Sequence, residues 1–267
     1  MNIRSLGFRT DVMLLRMGGS TVTDRGDHLV VRTPRNPGFW WGNFLLLPAA
    51  PTPADAGRRL AAFEAGFPGA AHRAFGVDGT AGQAGDPATL LALGLTAERD
   101  TVLTADRLTP PARPVTAPGT TEIRPLAGDA DWAAALTLRL AWTRPAEGTE
   151  LTFLQRQVAG HRALCEAGRG TWFGAFTDGE LRAGAGVFTD GHGIARYQVV
   201  ETDPGFRRTG LAGAVVHHAG VHALSDPATH TLVIVADPGY HAIGLYRSLG
   251  FAGTEQQTRL QGYVHTP

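Results

Sequence analysis

Val200-Glu201-Thr202-Asp203-Pro204-Gly205-Phe206-Arg207-Arg208-Thr209-Gly210-Leu211-Ala212 reads as the end of a strand, a short loop and the first turn of a helix. The loop sets an Arg, two spacers, a Gly, a spacer and a small residue in succession. That spacing lets consecutive backbone N–H groups point into one concavity at a helix N-terminus. Unsatisfied amides and the positive end of the helix dipole bind a phosphate or pyrophosphate there. Gly210 and Ala212 keep side chains away from the anion, and Arg207 or Arg208 can add charge-assisted contacts. The competing reading is an ordinary N-terminal helix turn.

A second segment downstream separates the two readings. Thr231-Leu232-Val233-Ile234-Val235-Ala236 is a β-branched run that predicts a buried strand. Ala242-Ile243-Gly244-Leu245-Tyr246-Arg247-Ser248-Leu249-Gly250-Phe251 follows, with the periodicity of a short helix and Gly250 as its stop. Together the two segments resemble the GCN5-related N-acetyltransferase (GNAT) superfamily. The first matches its Arg/Gln-x-x-Gly-x-Gly/Ala pyrophosphate motif and the second its Leu-Tyr-x-x-x-Gly-Phe segment. The resemblance runs from about Thr121 onward.

The resemblance implies acetyl-CoA as co-substrate and transfer of its acetyl group, by direct attack, to a primary amine of a small molecule or peptide. It implies that the pantetheine arm lies along Val200, Glu201 and Thr202 like an added strand. The pyrophosphate would rest on Arg207, Arg208, Thr209, Gly210, Leu211 and Ala212. Tyr246 would be the catalytic acid, since a phenol with a pKa of about 10 keeps its proton at neutral pH and can give it to a leaving thiolate. The alternative is that Tyr246 packs on a helix face. The family's frequent strand Glu has no counterpart: Ile234 stands at that place, and Gly239 stands where an Asn often contacts CoA. Glu201, His192, Asp237 and His241 are near enough in sequence to be considered as the base, and water-mediated deprotonation serves equally well. The missing Glu and Asn keep open a second function, a non-catalytic CoA-binding sensor or interaction protein.

Length and composition narrow the classes. A chain of 267 residues suits two modest domains. The formal net charge of zero gives nothing that draws the protein to nucleic acid or an anionic membrane. Phe39 to Ala50 is too short to span a bilayer, and the first residues lack a signal pattern, so a cytoplasmic location is expected. All 24 basic side chains are Arg, which fits a GC-rich, bacterial genome and excludes lysine Schiff-base chemistry. The same absence excludes a Gly-x-x-x-x-Gly-Lys-Ser/Thr nucleotide loop. The lone Cys165 lies in a helical pattern and reads as packing rather than as a nucleophile.

The expected fold class is α/β (α+β), as two tandem GNAT-like domains, each a mixed, mostly antiparallel sheet flanked by helices. Pro110, Pro111, Pro114 and Pro118 mark an extended linker over 110–118. It separates a first domain at 1–109 from an acetyl-CoA-binding domain at 119–267. An offset of 156 residues (207 − 51) lays Pro51 on Arg207, Ala54 on Gly210 and Leu90 on Tyr246. On that alignment the first half keeps the architecture and loses the anion loop and the phenol. Its helix is expected to start with Thr52 as N-cap and Pro53 as first residue. A monomer or homodimer is expected. His217, His218 and His222 have metal-ligand spacing without a third kind of ligand nearby, so no metal site is expected. Trp40 and Trp41 with Phe39 read as core, or as the lining of an acceptor pocket.

Overall fold

The computed structural model describes residues 1–141 and 148–264. Its strands are β1 (Thr21–Asp24), β2 (Leu29–Arg32), β3 (Phe44–Leu47), β4 (His72–Val77), β5 (Thr96–Ala105) and β6 (Thr121–Pro125), then β7 (Gly170–Thr177), β8 (Glu180–Thr189), β9 (Gly193–Thr202), β10 (Thr229–Ala236) and β11 (Ala252–Tyr263). Its helices are α1 (Leu6–Met17), α2 (Ala56–Gly66), α3 (Pro87–Ala92), α4 (Gly128–Leu140), α5 (Thr149–Glu166), α6 (Leu211–Leu224) and α7 (Ala242–Ser248). The chain divides into two compact units. One holds Met1–Val102, Val235–Pro238 and the chain from Gly253 onward; the other holds Leu103–Ile234 and Gly239–Ala252.

The first unit is a sheet in the order β1-β2-β3-β4-β11-β5 with α1, α2 and α3 packed on it. The four residues of β3, Phe44-Leu45-Leu46-Leu47, are all buried, as a strand covered on both faces must be. Phe8 of α1, Phe63 of α2 and Phe75 of β4 complete the core with them. Asp78, itself buried, accepts from the amides of Arg4 and Ser5 and ties the start of α1 to the end of β4.

The division differs from the boundary read in the sequence. The last strand, assigned there to the domain 119–267, lies in the first unit. β11 pairs antiparallel with β4 from Thr258↔Val77 to Tyr263↔His72, and Leu260 is fully buried in that unit's core. Leu103 and the whole 110–118 segment belong to the second unit. Sequence order could not show this, because a strand's partner is chosen by long-range pairing rather than by its neighbours along the chain.

The second unit has the strand order β10-β9-β8-β7-β6, antiparallel except for the β9–β10 pair. Asp178 and Gly179 both have positive φ and close the β7–β8 hairpin, a requirement the Asp-Gly dipeptide announces. α4 and α5 pack against this sheet with Trp132, Leu138 and Leu154, and α6 with Leu211, Val215, Val216 and Ala219.

The placement of β11 is open to test. Leu260→Ala is expected to cost about 2–5 kcal/mol in urea unfolding of the first unit. A chain ending at Ala252 should lose the protection of β4 amides in hydrogen exchange. Unchanged protection of β4 would show that β11 is dispensable there.

Candidate active site

β9 and β10 run parallel and pair from Gly193↔Thr229 to Arg196↔Val233, and no further among the described residues. β9 continues for six more residues while held on its other side by β8, out to Ala183↔Thr202. Over Tyr197 to Thr202, β9 therefore presents an open backbone edge on the side where β10 has left it.

One residue sets that geometry. Val199 has φ of 51°, and the β8–β9 register slips there, with Gly184↔Glu201 on one side and Gly186↔Gln198 on the other. A β-branched side chain in the left-handed region is a true outlier. The extra residue is a β-bulge, and it reverses which face the following side chains take. The effect is visible four residues apart. Tyr197 donates its hydroxyl to the Val216 carbonyl of α6 at 2.7 Å, whereas Glu201 meets Arg139 of α4 at 3.5 Å. In a regular strand both side chains would share one face.

The loop after β9 carries two left-handed residues, Arg208 (φ 66°) and Gly210 (φ 87°), so that it curls onto the N-terminus of α6. The first helical bond is from the Ala214 N–H to the Gly210 carbonyl, which leaves the first-turn amides of Leu211 and Ala212 without an upstream partner in the helix. Arg207 and Arg208 are exposed, Thr209 is half-buried, and Thr209 Oγ1 donates to the Phe206 carbonyl at 2.6 Å.

The reason for Gly210 is corrected by the structure. A Cβ there would lie 2.9 Å from the Pro114 carbonyl oxygen and 3.3 Å from Val115 Cα. The Thr116 N–H also donates to the Thr209 carbonyl at 2.9 Å. The glycine is thus required by its backbone angle and by the packed 110–118 segment, whether or not an anion binds.

Tyr246 lies in α7 and is buried, packed edge-on against Phe251. Tyr197, the residue after the last β9–β10 pair, packs edge-on against the same Phe251 ring. Burial pushes the Tyr246 phenol up to about 12, with a smaller contribution from Tyr240.

The first unit lacks these features. β3 and β4 stay paired to the last residue, Leu47↔Val77, and the Asp78 N–H extends the pairing to the Leu47 carbonyl at 2.8 Å. No gap opens. The loop that follows contains Pro48, Pro51 and Pro53, which supply no N–H donors. α2 starts at Ala56 with Asp55 as N-cap residue, later than the Thr52 start expected. The reason is local: Asp55 Oδ1 accepts from the Thr52 N–H and hydroxyl at 2.7 and 2.8 Å, closing a turn ahead of the helix. A carboxylate of the chain itself stands at this helix N-terminus. Gly94 and Gly250, 156 residues apart (250 − 94), both have positive φ after α3 and α7, so the two halves keep the same helix stop.

Residues 133–251 match the family model described as Acetyltransferase (GNAT) family. The fold of the whole chain is shared with a GCN5-related N-acetyltransferase from Kribbella flavida at 16% identity and a TM-score of 0.66, over 98% of this chain and 97% of that one. A conserved protein of unknown function from Staphylococcus epidermidis gives 12% identity and a TM-score of 0.68, over 91% and 93%. A tandem GNAT protein from the clavulanic acid biosynthesis pathway gives 17% and 0.57, over 84% and 74%. No curated protein matches the chain in sequence.

The other candidates find ordinary places. His218 and His222 set their rings edge-on to Phe173, and His222 Nε2 lies 3.3 Å from Thr171 Oγ1. No group of three metal-ligating side chains occurs among the described residues. Trp40 stacks on His72, and Trp41 donates to Gln261 Oε1 at 3.1 Å, both within the first unit. Cys165 lies in α5, its thiol pushed up to about 11 by burial. His192, Asp237 and His241 are exposed. No helix among the described residues is long and apolar enough to cross a membrane.

Sequence reasoning missed the surroundings of Glu201 in the second unit. Only 5% of the residue is exposed, and burial pushes its carboxyl up to about 7, partly offset by Arg139. The signal available was an Arg inside the apolar Leu136–Ala141 run and a Glu at the end of an apolar strand.

Two outcomes follow. Gly210→Ala is expected to destabilise the second unit by at least about 1–2 kcal/mol in urea unfolding, even without ligand. For Glu201, a folded pKa above the unfolded value means that folding binds the proton. That contribution is full below about 4.5 and is lost as pH rises through about 7. Glu201→Gln removes the titration. The stability of the native chain relative to that variant should therefore fall by about 3 kcal/mol between pH 4 and pH 8. A pH-independent difference would contradict the burial of the carboxyl.

Proposed function

We propose that the chain is an acetyl-CoA-dependent N-acetyltransferase acting on a primary amine of a small molecule. The observation that carries this reading is the parting of β9 from β10 beyond Arg196↔Val233, directly before a loop that curls onto a helix N-terminus. The open edge of Val200, Glu201 and Thr202 suits an extended amide chain hydrogen-bonding like an added strand. The amides from Arg207 to Ala212 suit a pyrophosphate, with the exposed Arg207 and Arg208 beside it. Acetyl-CoA supplies the acetyl group as a thioester.

The residues present fit that chemistry. A tetrahedral adduct must expel a thiolate, and a proton donor nearby lowers the barrier. Tyr246, at about 12, holds its proton throughout the neutral range. The cost of burial falls on its phenolate, so it is a weaker acid than a free phenol. The donor therefore works by proximity rather than by acidity.

The first unit serves as a scaffold in this reading. Its β3 and β4 leave no gap, and the Asp55 carboxylate is engaged by Thr52 and Arg59 at the start of α2.

Calorimetric titration of the full chain with acetyl-CoA should give one site per chain. Two sites would overturn the degenerate reading of the first unit. Thiol release should follow when a panel of small amines is added. Tight binding with no turnover across the panel would favour a CoA-binding sensor instead. Tyr246→Phe should lower the single-turnover rate by about 10²–10⁴-fold with little change in acetyl-CoA affinity. A wild-type chemical rate would return Tyr246 to a packing role.

A further inference from the structure

Gly210, Gly213, Gly220 and Gly250 of the second unit share one neighbour, the segment 107–116. It runs along α6 from the C-terminal end of the helix to its N-terminus. Leu108 Cδ1 takes the place of a side chain at Gly220, Pro111 Cβ lies 3.9 Å from that place at Gly213, and the Pro114 carbonyl oxygen lies 2.9 Å from it at Gly210. At Gly250, after α7, the Arg107 carbonyl oxygen is 3.3 Å from it. Two amides fasten the segment. The Thr109 N–H donates to the Leu249 carbonyl and the Thr116 N–H to the Thr209 carbonyl, each at 2.9 Å. Pro110, Pro111 and Pro114 lie between them and have no N–H to offer. The stretch that reads in the sequence as a linker is a strap bound to the 207–212 loop.

The bond from Thr116 decides where an amide of the loop points. The Thr209–Gly210 peptide is planar and trans, so its C=O and its N–H project to opposite sides. With the carbonyl drawn onto Thr116, the Gly210 N–H is turned away from the strap. It has no acceptor among the described residues, and Gly210 is only half-buried. A donor here, immediately ahead of α6, joins the first-turn amides of Leu211 and Ala212. The arrangement needs a hold. Arg208 and Gly210, on either side of Thr209, are both left-handed, and a residue with a Cβ such as Arg208 disfavours that region. Thr209 Oγ1 bonds within the loop, to the Phe206 carbonyl. Among the described residues, the backbone hydrogen bond that holds the loop from outside is the one from Thr116.

We propose that Thr116 is a positioning residue of the cofactor site: its amide, by holding the Thr209 carbonyl, aims the Gly210 N–H at the pyrophosphate of acetyl-CoA. The inference rests on the transferase reading above and adds to its site a residue from outside the loop. The backbone N–H of Thr116 does this, so the side chain can change and the amide cannot. A phosphate oxygen accepting from Gly210 makes a charge-assisted hydrogen bond, and such bonds weaken steeply with misalignment. Without the strap the peptide is free to turn over, and the anion loses that donor.

The test uses the full chain and acetyl-CoA as probe, with binding read by calorimetry. Thr116→Ala keeps the N–H and should bind acetyl-CoA as the native chain does. Thr116→Pro removes the N–H and should raise Kd about 10–100-fold. Should the Pro variant fail to fold, an ester in place of the Val115–Thr116 amide removes the same N–H and keeps every side chain. A second readout separates aim from stability: exchange of the Gly210 amide with solvent, followed by NMR at equal saturation with acetyl-CoA. Exchange should be slowed in the native chain and in the Ala variant, and not where the N–H is missing. Unchanged affinity on loss of the N–H, an equal loss in the Ala variant, or a protected Gly210 amide without the Thr116 N–H would each overturn the inference and leave the transferase reading standing. Failure of the native chain to bind acetyl-CoA would overturn that reading and the inference with it.

Discussion

The backbone of Val199 is the constraint on which the second unit depends. A valine at φ 51° costs on the order of 1–3 kcal/mol, and the flanking pairs with Gly184 and Gly186 of β8 hold it there. With the bulge in place, β9 turns away from β10 beyond Arg196 while remaining bound to β8. The same bulge turns Glu201 toward α4 while Tyr197 stays on α6. One strained residue thus produces both a free backbone edge and a buried carboxylate beside it. In the first unit β3 has no comparable residue, keeps its pairing with β4 to the end, and offers neither.

The two halves show how a shared architecture supports different roles. From α2 to β5 the elements and the helix-stopping glycine correspond to those from α6 to β11 at an offset of 156 (250 − 94), so the hydrophobic pattern of that stretch is retained. The anion loop depends on other properties: amides free to donate, left-handed turns, and a helix N-terminus without a competing carboxylate. The second unit has left-handed turns at Arg208 and Gly210 and a helix N-terminus at Leu211. In the first, prolines remove donors and Asp55 engages Thr52. Packing is tolerant of such changes and anion binding is not.

Much of this was legible in the sequence. The Arg207 to Ala212 spacing and the Leu245-Tyr246 segment named the fold of the second half, because each needs particular residues at fixed positions. The strand and helix order followed from periodicity. The location of β11 was hidden, since its pairing with β4 joins residues about 180 positions apart that no local pattern connects. The bulge was hidden because Val199 is among the last residues one would place at positive φ. The meeting of Arg139 with Glu201 was hidden for the same reason as β11: α4 and β9 bring the two together from distant parts of the sequence. Gly210 was read in the sequence as clearing space for an anion, whereas the crowding by Pro114 belongs to the tertiary structure and no local pattern announces it.

Amide hydrogen exchange with and without acetyl-CoA tests the central claim most directly. Slowed exchange confined to peptides covering 199–213, with 44–59 unchanged, is the result this account predicts. Protection at 44–59, or none at 199–213 under saturating acetyl-CoA, would contradict it.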